Sequence, residues 1–357
     1  MKIAVCGINP KSIHFRVYLD FLVAQGHDVT VITDTRTVEA AVKVLDFARP
    51  IRGRRAMPPG MAFLVLLWRL RRALHSRRFD VLDIMQVTPA GVYAAWLWRG
   101  PLVLDFWGSD IMRLDQRPWL VRLLMRRVVA KADCIHSVSR QMTAALASRG
   151  ARKATIETFQ YGVDLAAFRF ALGERRAETV VWSRGLREFY RLETMLRAWP
   201  AVLARRPRAR FVVTQHDASI DRWKALADEL GIADSVAFVG RVSHEELAET
   251  LRRAAVWVSI PPSDGAPLSL LEAMASGALP VVSDLESVRE WVDPERAVFV
   301  GTVDAEHVAD AVVRGLELAG DGAHAAANRR VVEERGDRRL NLPRWERLLM
   351  RAASHTV

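Results

Sequence analysis

The feature that most limits the fold of this chain is a strict alternation, run through twice. Short β-branched runs trade places with helix-length segments. In the first half the runs at 2–7, 29–33, 81–85, 102–106 and 134–138 read as strands, with helix-length stretches at 15–25, 61–77 and 119–131. In the second half strand-like runs recur at 179–183, 210–214, 236–239, 256–260 and 279–283, again with helices between them. Strands joined through helices pair in parallel, and the crossovers cover both faces of the sheet. The pattern therefore predicts an α/β chain of two doubly wound, Rossmann-like domains. A chain of 357 residues, half of them hydrophobic, is long for one core and ample for two.

The two series meet at "YGVDLAAF" (161–168) and "RFALGERRAE" (169–178), which read as a linker. The expected division is a first domain over 1–165, a linker over 166–178, a second domain over 179–335, and a segment 336–357. That last segment holds a short helix at 342–352 with Trp345, expected to pack back toward the first domain. Charge divides unevenly between the halves: residues 1–170 carry 26 Lys and Arg against 13 Asp and Glu, whereas 171–357 carry 26 against 28. No helix-turn-helix, zinc-finger or RNA-binding signature accompanies the excess, so nucleic acid is not an expected partner. The two cysteines, Cys6 and Cys134, sit in apolar surroundings and fit a reducing compartment better than a disulfide framework. The apolar start at 3–8 is too short for a signal peptide, and the longest apolar run, 61–68, is too short to span a bilayer. A cytoplasmic location is expected.

One segment concentrates chemistry: "SDGAPLSLLEAMASGALPVVSD" (263–284). Pro267 suits a first helical turn, Leu268, Leu271, Ala275 and Leu279 fit one buried stripe, and Gly277 suits a helix C-cap. The order is loop, helix, strand. Residues 266–269 would present free N–H groups at the positive end of that helix, a phosphate site. Asp264 precedes the helix and Glu272 lies about one turn inside it. Two acids flanking a diphosphate suit a nucleotide sugar, with ribose on one side and hexose on the other. On spacing alone they fit equally a plain loop acid and a solvated helix acid.

Taken with "SIHFRVYLDFLVAQGHDVTVIT" (12–33), "FWGSDI" (106–111), "YGVDLAAF" (161–168), "SRGLREFYRLETMLRAW" (183–199) and "FVGRVSHEEL" (238–247), this segment resembles the retaining glycosyltransferases of family 4. Nearly the whole chain takes part. The resemblance implies the GT-B fold, in which two Rossmann-like domains face each other across a cleft. It makes the first domain acceptor-binding and the second donor-binding. Loops at Gly7, 107–110, Arg184 and Asp264, all after strands, are expected to meet at that cleft. By resemblance Glu272 binds the ribose hydroxyls and Asp264 faces the donor sugar, with Gly265 beside it. Pro267, Leu268 and Ser269 hold the diphosphate, and Arg184 neutralises its developing charge. Gly240 and Val242 border the base, and Gly7 lets the first loop approach the donor.

Two positions depart from the family pattern. Tyr190, followed by Arg191, stands where a Lys is usual, so Arg187 or Arg191 would have to supply the second charge, and an Arg does not replace a Lys point for point. Trp107 stands where many members have His. It either stacks on a sugar face, with Asp110 meeting a hydroxyl, or belongs to the core while Asp110 caps the next helix. His14, Trp107 and Ser109 are the acceptor-side candidates, and Arg184, Asp264 and Asp110 the catalytic ones. There is no Asp-x-Asp motif, so no metal and no cofactor are expected. The resemblance implies a UDP- or GDP-sugar as donor, and a lipid-linked or cell-envelope glycan is the expected acceptor. A nucleotide-sugar epimerase would need acid–base groups, and His14, His136 and His216 are thin candidates. A non-catalytic nucleotide-sugar-binding protein is the other alternative. The basic clusters at Arg49, Arg52, Arg54 and Arg55, at Arg69, Arg71, Arg72, Arg77 and Arg78, and at Arg122, Arg126, Arg127 and Lys131 lie among Phe63, Trp68 and Trp119. That mixture suits docking on an anionic membrane surface, or ordinary surface helices rich in Arg.

Overall fold

The computed structural model describes residues 1–6, 13–33, 43–46, 59–152, 155–170 and 178–354. It divides into two compact units, Met1–Phe159 with Leu342–Val357, and Gln160–Asn341. Gly7 and the Arg49–Arg55 cluster lie outside the described residues.

The first unit is built on β1 (Lys2–Cys6), β2 (Asp28–Thr33), β3 (Lys43–Asp46), β4 (Val81–Met85), β5 (Leu102–Phe106), β6 (Cys134–Ser137) and β7 (Ile156–Thr158). They form one sheet in the order β3-β2-β1-β4-β5-β6-β7, parallel throughout. All five residues of β4 and of β5 are buried, as central strands covered on both faces must be. The crossover helix Trp119–Lys131 buries Val121, Leu124, Met125, Val128 and Val129, the i, i+3, i+4, i+7, i+8 spacing of one helical face. Two acids interrupt the apolar strands. Asp105 is met by His136 Nδ1 at 3.1 Å and accepts from Trp345 Nε1 at 3.0 Å. Burial first, and the neighbouring Asp105 second, push the Asp83 carboxyl well above its ordinary range. The Trp345 bond, with Arg351–Glu157 at 2.8 Å and His27–Glu346 at 2.8 Å, ties the end of helix Arg338–Ser354 into this unit.

The second unit is built on β8 (Thr179–Trp182), β9 (Arg210–Val213), β10 (Val236–Phe238), β11 (Val256–Ser259), β12 (Leu279–Ser283) and β13 (Val298–Val300), in the parallel order β10-β9-β8-β11-β12-β13. Alternate strand residues serve opposite faces. Val180, Val256, Val258 and Val281 join a core with Trp199, Phe211 and Val312, whereas Val181, Trp257 and Val282 join another with Leu270, Met274 and Trp291.

Both units are therefore doubly wound, as the alternation predicts. The strands read from sequence recur within a residue or so of their expected bounds. β3, β7 and β13 were not anticipated; each is three or four residues long and stands at a sheet edge, where little apolar pattern is required. Helix Arg338–Ser354 begins four residues earlier than the expected 342–352 and runs through Pro343.

Candidate active site

In the second sheet the order reverses between β8 and β11, the place where open α/β sheets bind ligands. Arg184 follows β8, and the loop after β11 carries Asp264 into helix Leu268–Ser276. Pro267 stands as the N-cap of that helix, one position earlier than its first turn, with extended backbone. No side chain caps the helix N-terminus, and Gly277 closes the other end at φ 88°, a conformation glycine adopts freely.

Arg184 joins the two halves of this site. Its Nη2 donates to Asp264 Oδ2 at 2.6 Å, and its Nη1 donates to Ser269 Oγ at 2.6 Å, on the first turn of the helix. Its Nε is buried with no hydrogen-bond partner. Asp264 is fixed from its own loop as well: its Oδ1 accepts from Gly265 N at 2.9 Å, and its carbonyl accepts from Ser287 Oγ at 2.8 Å. One guanidinium, one carboxylate and one uncapped helix end thus share a small volume, a combination that attracts an anion and orients hydroxyls beside it.

Glu272 is only 3 % exposed, and its Oε1 is buried without a partner. Burial pushes its carboxyl up to about 7, against the pull of Arg338 first and Arg184 second. A buried acceptor left open costs free energy that a bound hydroxyl donor would recover. Glu272 is thus not the solvated helix acid that spacing alone allowed.

Tyr190 ends a short turn, Glu188–Tyr190, with the Arg184 guanidinium 4.8 Å from its ring centre and the exposed Arg187 at 5.6 Å. A side chain on Gly185 would strike that ring, at 2.9 Å. Arg191 takes a left-handed backbone, φ 62°, as N-cap of helix Leu192–Arg205. Of the two arginines weighed for the missing Lys, it is Arg187 that shares the Tyr190 ring with Arg184. Gly240, at φ 84°, turns the chain after β10, and Val242 is half-buried just before the capping box of helix His244–Arg252.

In the first unit Trp107 and Asp110 follow β5. The Asp110 carboxylate accepts from the backbone N–H of Trp107, Gly108, Ile111 and Val87, at 2.9, 2.9, 3.1 and 3.3 Å. It builds its own turn and helix start, the capping alternative. Trp107 is half-buried, edge-on to Tyr18 at 5.7 Å. Ser109 opens the four-residue helix Ser109–Met112, and His14 lies in the first turn of helix Ile13–Ala24. Among the described residues no group of three or more His, Cys, Asp or Glu is placed to hold a metal ion. Sequence reasoning missed Gln160, whose Nε2 donates to Ala266 O at 2.7 Å, and Ser287 and Arg338. The signal for Gln160 was present, since it adjoins "YGVDLAAF", but that stretch read as a linker and a family match with no site residue in it.

Residues 14–162 match the glycosyl transferase 4-like domain, and residues 177–317 match the glycosyl transferases group 1 domain. The GDP-mannose-dependent alpha-(1-6)-phosphatidylinositol monomannoside mannosyltransferase of Mycobacterium tuberculosis is 27% identical over 217 residues, which cover 55% of this chain and 56% of that protein. The chain thus spans about half the length of this curated relative. Among solved structures, sucrose-phosphate synthase from Thermosynechococcus elongatus aligns over 100% of both chains at 17% identity, with a TM-score of 0.79. Anabaena HepE, solved in complex with UDP and glucose, aligns over 98% of this chain and 99% of its own at 14% identity, with a TM-score of 0.76.

Proposed function

We propose that this chain, which belongs to the family 4 glycosyltransferases by its 4-like and group 1 domains, moves a sugar from a nucleoside diphosphate to an acceptor hydroxyl with retention and without a metal. The observation that carries the reading is Arg184, bonded at once to Asp264 and to the open helix end at Ser269. In the reaction the bond between the anomeric carbon and the diphosphate oxygen breaks, and the acceptor oxygen bonds to the same face of that carbon. The acceptor proton passes to a phosphate oxygen, so no protein base is needed. Negative charge grows on the diphosphate, and Arg184 with the N–H groups of Leu268 and Ser269 stabilises it. Glu272 accepts from the ribose hydroxyls and Asp264 from a sugar hydroxyl. Asp264 is one methylene shorter than the Glu usual in the family, which makes it a determinant of sugar choice. The relative named for GDP-mannose and the neighbour solved with UDP and glucose define the first donors to try.

The assay is nucleoside diphosphate release from GDP-mannose and UDP-glucose with membrane-extracted acceptors, with product mass and anomeric configuration read out. Release with a retained anomer, unchanged in EDTA, is expected. An inverted product, or a rate that collapses in EDTA and returns with Mg²⁺ or Mn²⁺, contradicts the mechanism.

The same reading places the acceptor at an anionic membrane, on the cytoplasmic face. Support comes from two outward helix faces. Helix Pro59–Leu74 exposes Met61 (54%), Leu64 (66%) and Trp68 (57%) beside Arg71 and Arg72, and helix Trp119–Lys131 exposes Trp119 (73%) and Leu123 beside Arg122, Arg126 and Arg127. Phe63, counted with them from sequence, instead packs edge-on against Tyr93 at 5.3 Å. Among the described residues no helix is long and apolar enough to cross a membrane. Apolar anchors among cations suit a helix lying in the interface, each cation adding about 1 kcal/mol near anionic lipid. Sedimentation with phosphatidylglycerol vesicles should fall with salt and with Trp68→Ser plus Trp119→Ser. Equal recovery in the supernatant with neutral and anionic vesicles contradicts it.

A further inference from the structure

Arg184 is held at its backbone and at the tips of its side chain. Trp182 Nε1, on a fully buried side chain, donates to Arg184 O at 2.9 Å, and Trp257 Nε1 donates to Ser183 Oγ at 2.9 Å. The exit of β8 is thus fixed just before the site. At the far end Nη2 and Nη1 are bonded to Asp264 and Ser269. Two bonds made at the tips leave a guanidinium free to tilt about the line that joins them. A third contact removes that freedom. The guanidinium carbon lies over the Tyr190 ring, 4.8 Å from its centre, within the range where an aromatic face attracts a cation. The Arg184 side chain is only 13% exposed, and such attraction is strongest away from water.

The ring is itself well placed. The turn Glu188–Tyr190 is closed by Tyr190 N donating to Arg187 O and by Arg191 N donating to Glu188 O, each at 2.9 Å. Phe189 meets the ring edge-on at 5.3 Å, and Tyr190 packs against the core that holds Trp182, Leu186 and Leu192. Gly185 supplies the room. Its backbone is not left-handed, so φ does not call for glycine there. Yet a Cβ would lie 2.9 Å from Tyr190 Cε2 and 3.1 Å from Cδ2. The residue next to Arg184 therefore lacks a side chain where the ring under Arg184 needs the space.

We infer that Tyr190 is a positioning residue for Arg184: admitted by Gly185, its ring fixes the guanidinium that Asp264 and Ser269 hold by the tips, so that the charge meets the diphosphate in one orientation. The inference rests on the role proposed for Arg184. A preset cation counts most against charge that grows on the leaving group. A free nucleoside diphosphate already carries that charge, whereas the nucleotide sugar does not. Loss of the ring should therefore weaken the first more than the second.

The test is calorimetric titration of UDP, GDP, UDP-glucose and GDP-mannose into the full-length protein and its variants. Tyr190→Leu should weaken the better-bound nucleoside diphosphate about tenfold and its sugar conjugate about threefold or less. Tyr190→Phe, which keeps the ring, should bind as the unaltered protein does. Gly185→Ala, which keeps the ring but pushes it aside, should repeat the loss, and it carries the test if Tyr190→Leu does not fold. Arg184→Ala combined with Tyr190→Leu should bind no more weakly than Arg184→Ala alone, because the ring acts only through Arg184. A merely structural role would instead add its loss to that of Arg184→Ala, and additive losses overturn the inference. So does unchanged nucleoside diphosphate affinity in both Tyr190→Leu and Gly185→Ala while Arg184→Ala binds weakly. If Arg184→Ala binds UDP and GDP as tightly as the unaltered protein, or if the unaltered protein binds neither, the role of Arg184 itself fails.

Discussion

Asp110 and Glu272 are both buried acids near a helix start that follows a strand of a doubly wound sheet, and they are used in opposite ways. Asp110 accepts four backbone N–H groups from its own turn and from Val87. Burial pushes its carboxyl up, and those bonds pull it back. Glu272 has an oxygen without any partner and only the charges of Arg338 and Arg184 to offset its burial. An acid satisfied by its own backbone shapes a loop; an acid buried and left open costs stability until something binds it. Both acids follow strands of parallel sheets, yet of the two only Glu272 keeps capacity for a ligand.

The comparison breaks most visibly at Arg184. Arg184→Ala should lower turnover by on the order of 10²–10³, the usual effect of losing one donor to a developing oxyanion. Steady-state rates at saturating donor check this, and a loss under tenfold removes Arg184 from the transition state. Next in size is Glu272→Gln, expected to weaken donor binding roughly 10- to 150-fold through loss of charged hydrogen bonds worth about 1.5–3 kcal/mol. The same change should stabilise the unliganded protein above pH 7. A carboxyl raised from 4.5 to about 7 by folding holds more protons folded than unfolded, so its stability contribution is lost as pH rises through that window. Thermal unfolding at pH 5 and pH 8 reads the difference. Smallest is the effect of Asp110→Asn in the first unit, which should cost about 1–3 kcal/mol of stability because an amide cannot accept four N–H bonds, while donor affinity stays within about twofold. A large loss of donor affinity with normal stability would restore Asp110 to the substrate.

Much of the candidate site was legible in the sequence because it is local. Asp264, Pro267, Ser269, Glu272 and Gly277 fall within fourteen positions, and loop, helix and cap follow from residue types alone. Arg184 entered by family resemblance, eighty residues away from Asp264, and the structure bonds the two. What remained hidden depends on burial or on distant pairing. Spacing could not say that Glu272 is buried with an open oxygen, nor that Asp110 spends its lone pairs on Val87, a residue of a different loop. The parallel bridge between Val163 and Asp337 joins segments over 170 positions apart, and no periodicity signals such a bridge. At fold level the central strands were plain from apolar runs, and the three missed strands were sheet edges with too few residues to carry a pattern.

The most direct measurement is calorimetric titration of nucleotide sugar at pH 6, 7 and 8, comparing the unaltered protein with Glu272→Gln. The donor diphosphate is fully ionised throughout, so the pH dependence reports the protein. With the Glu272 carboxyl titrating at about 7, affinity should rise up to roughly tenfold from pH 6 to pH 8, with a proton released on binding, and the Gln variant should be weak and flat. An equal slope in both proteins, or no slope in either, would contradict the claim that the open carboxyl of Glu272 is the ribose-binding group.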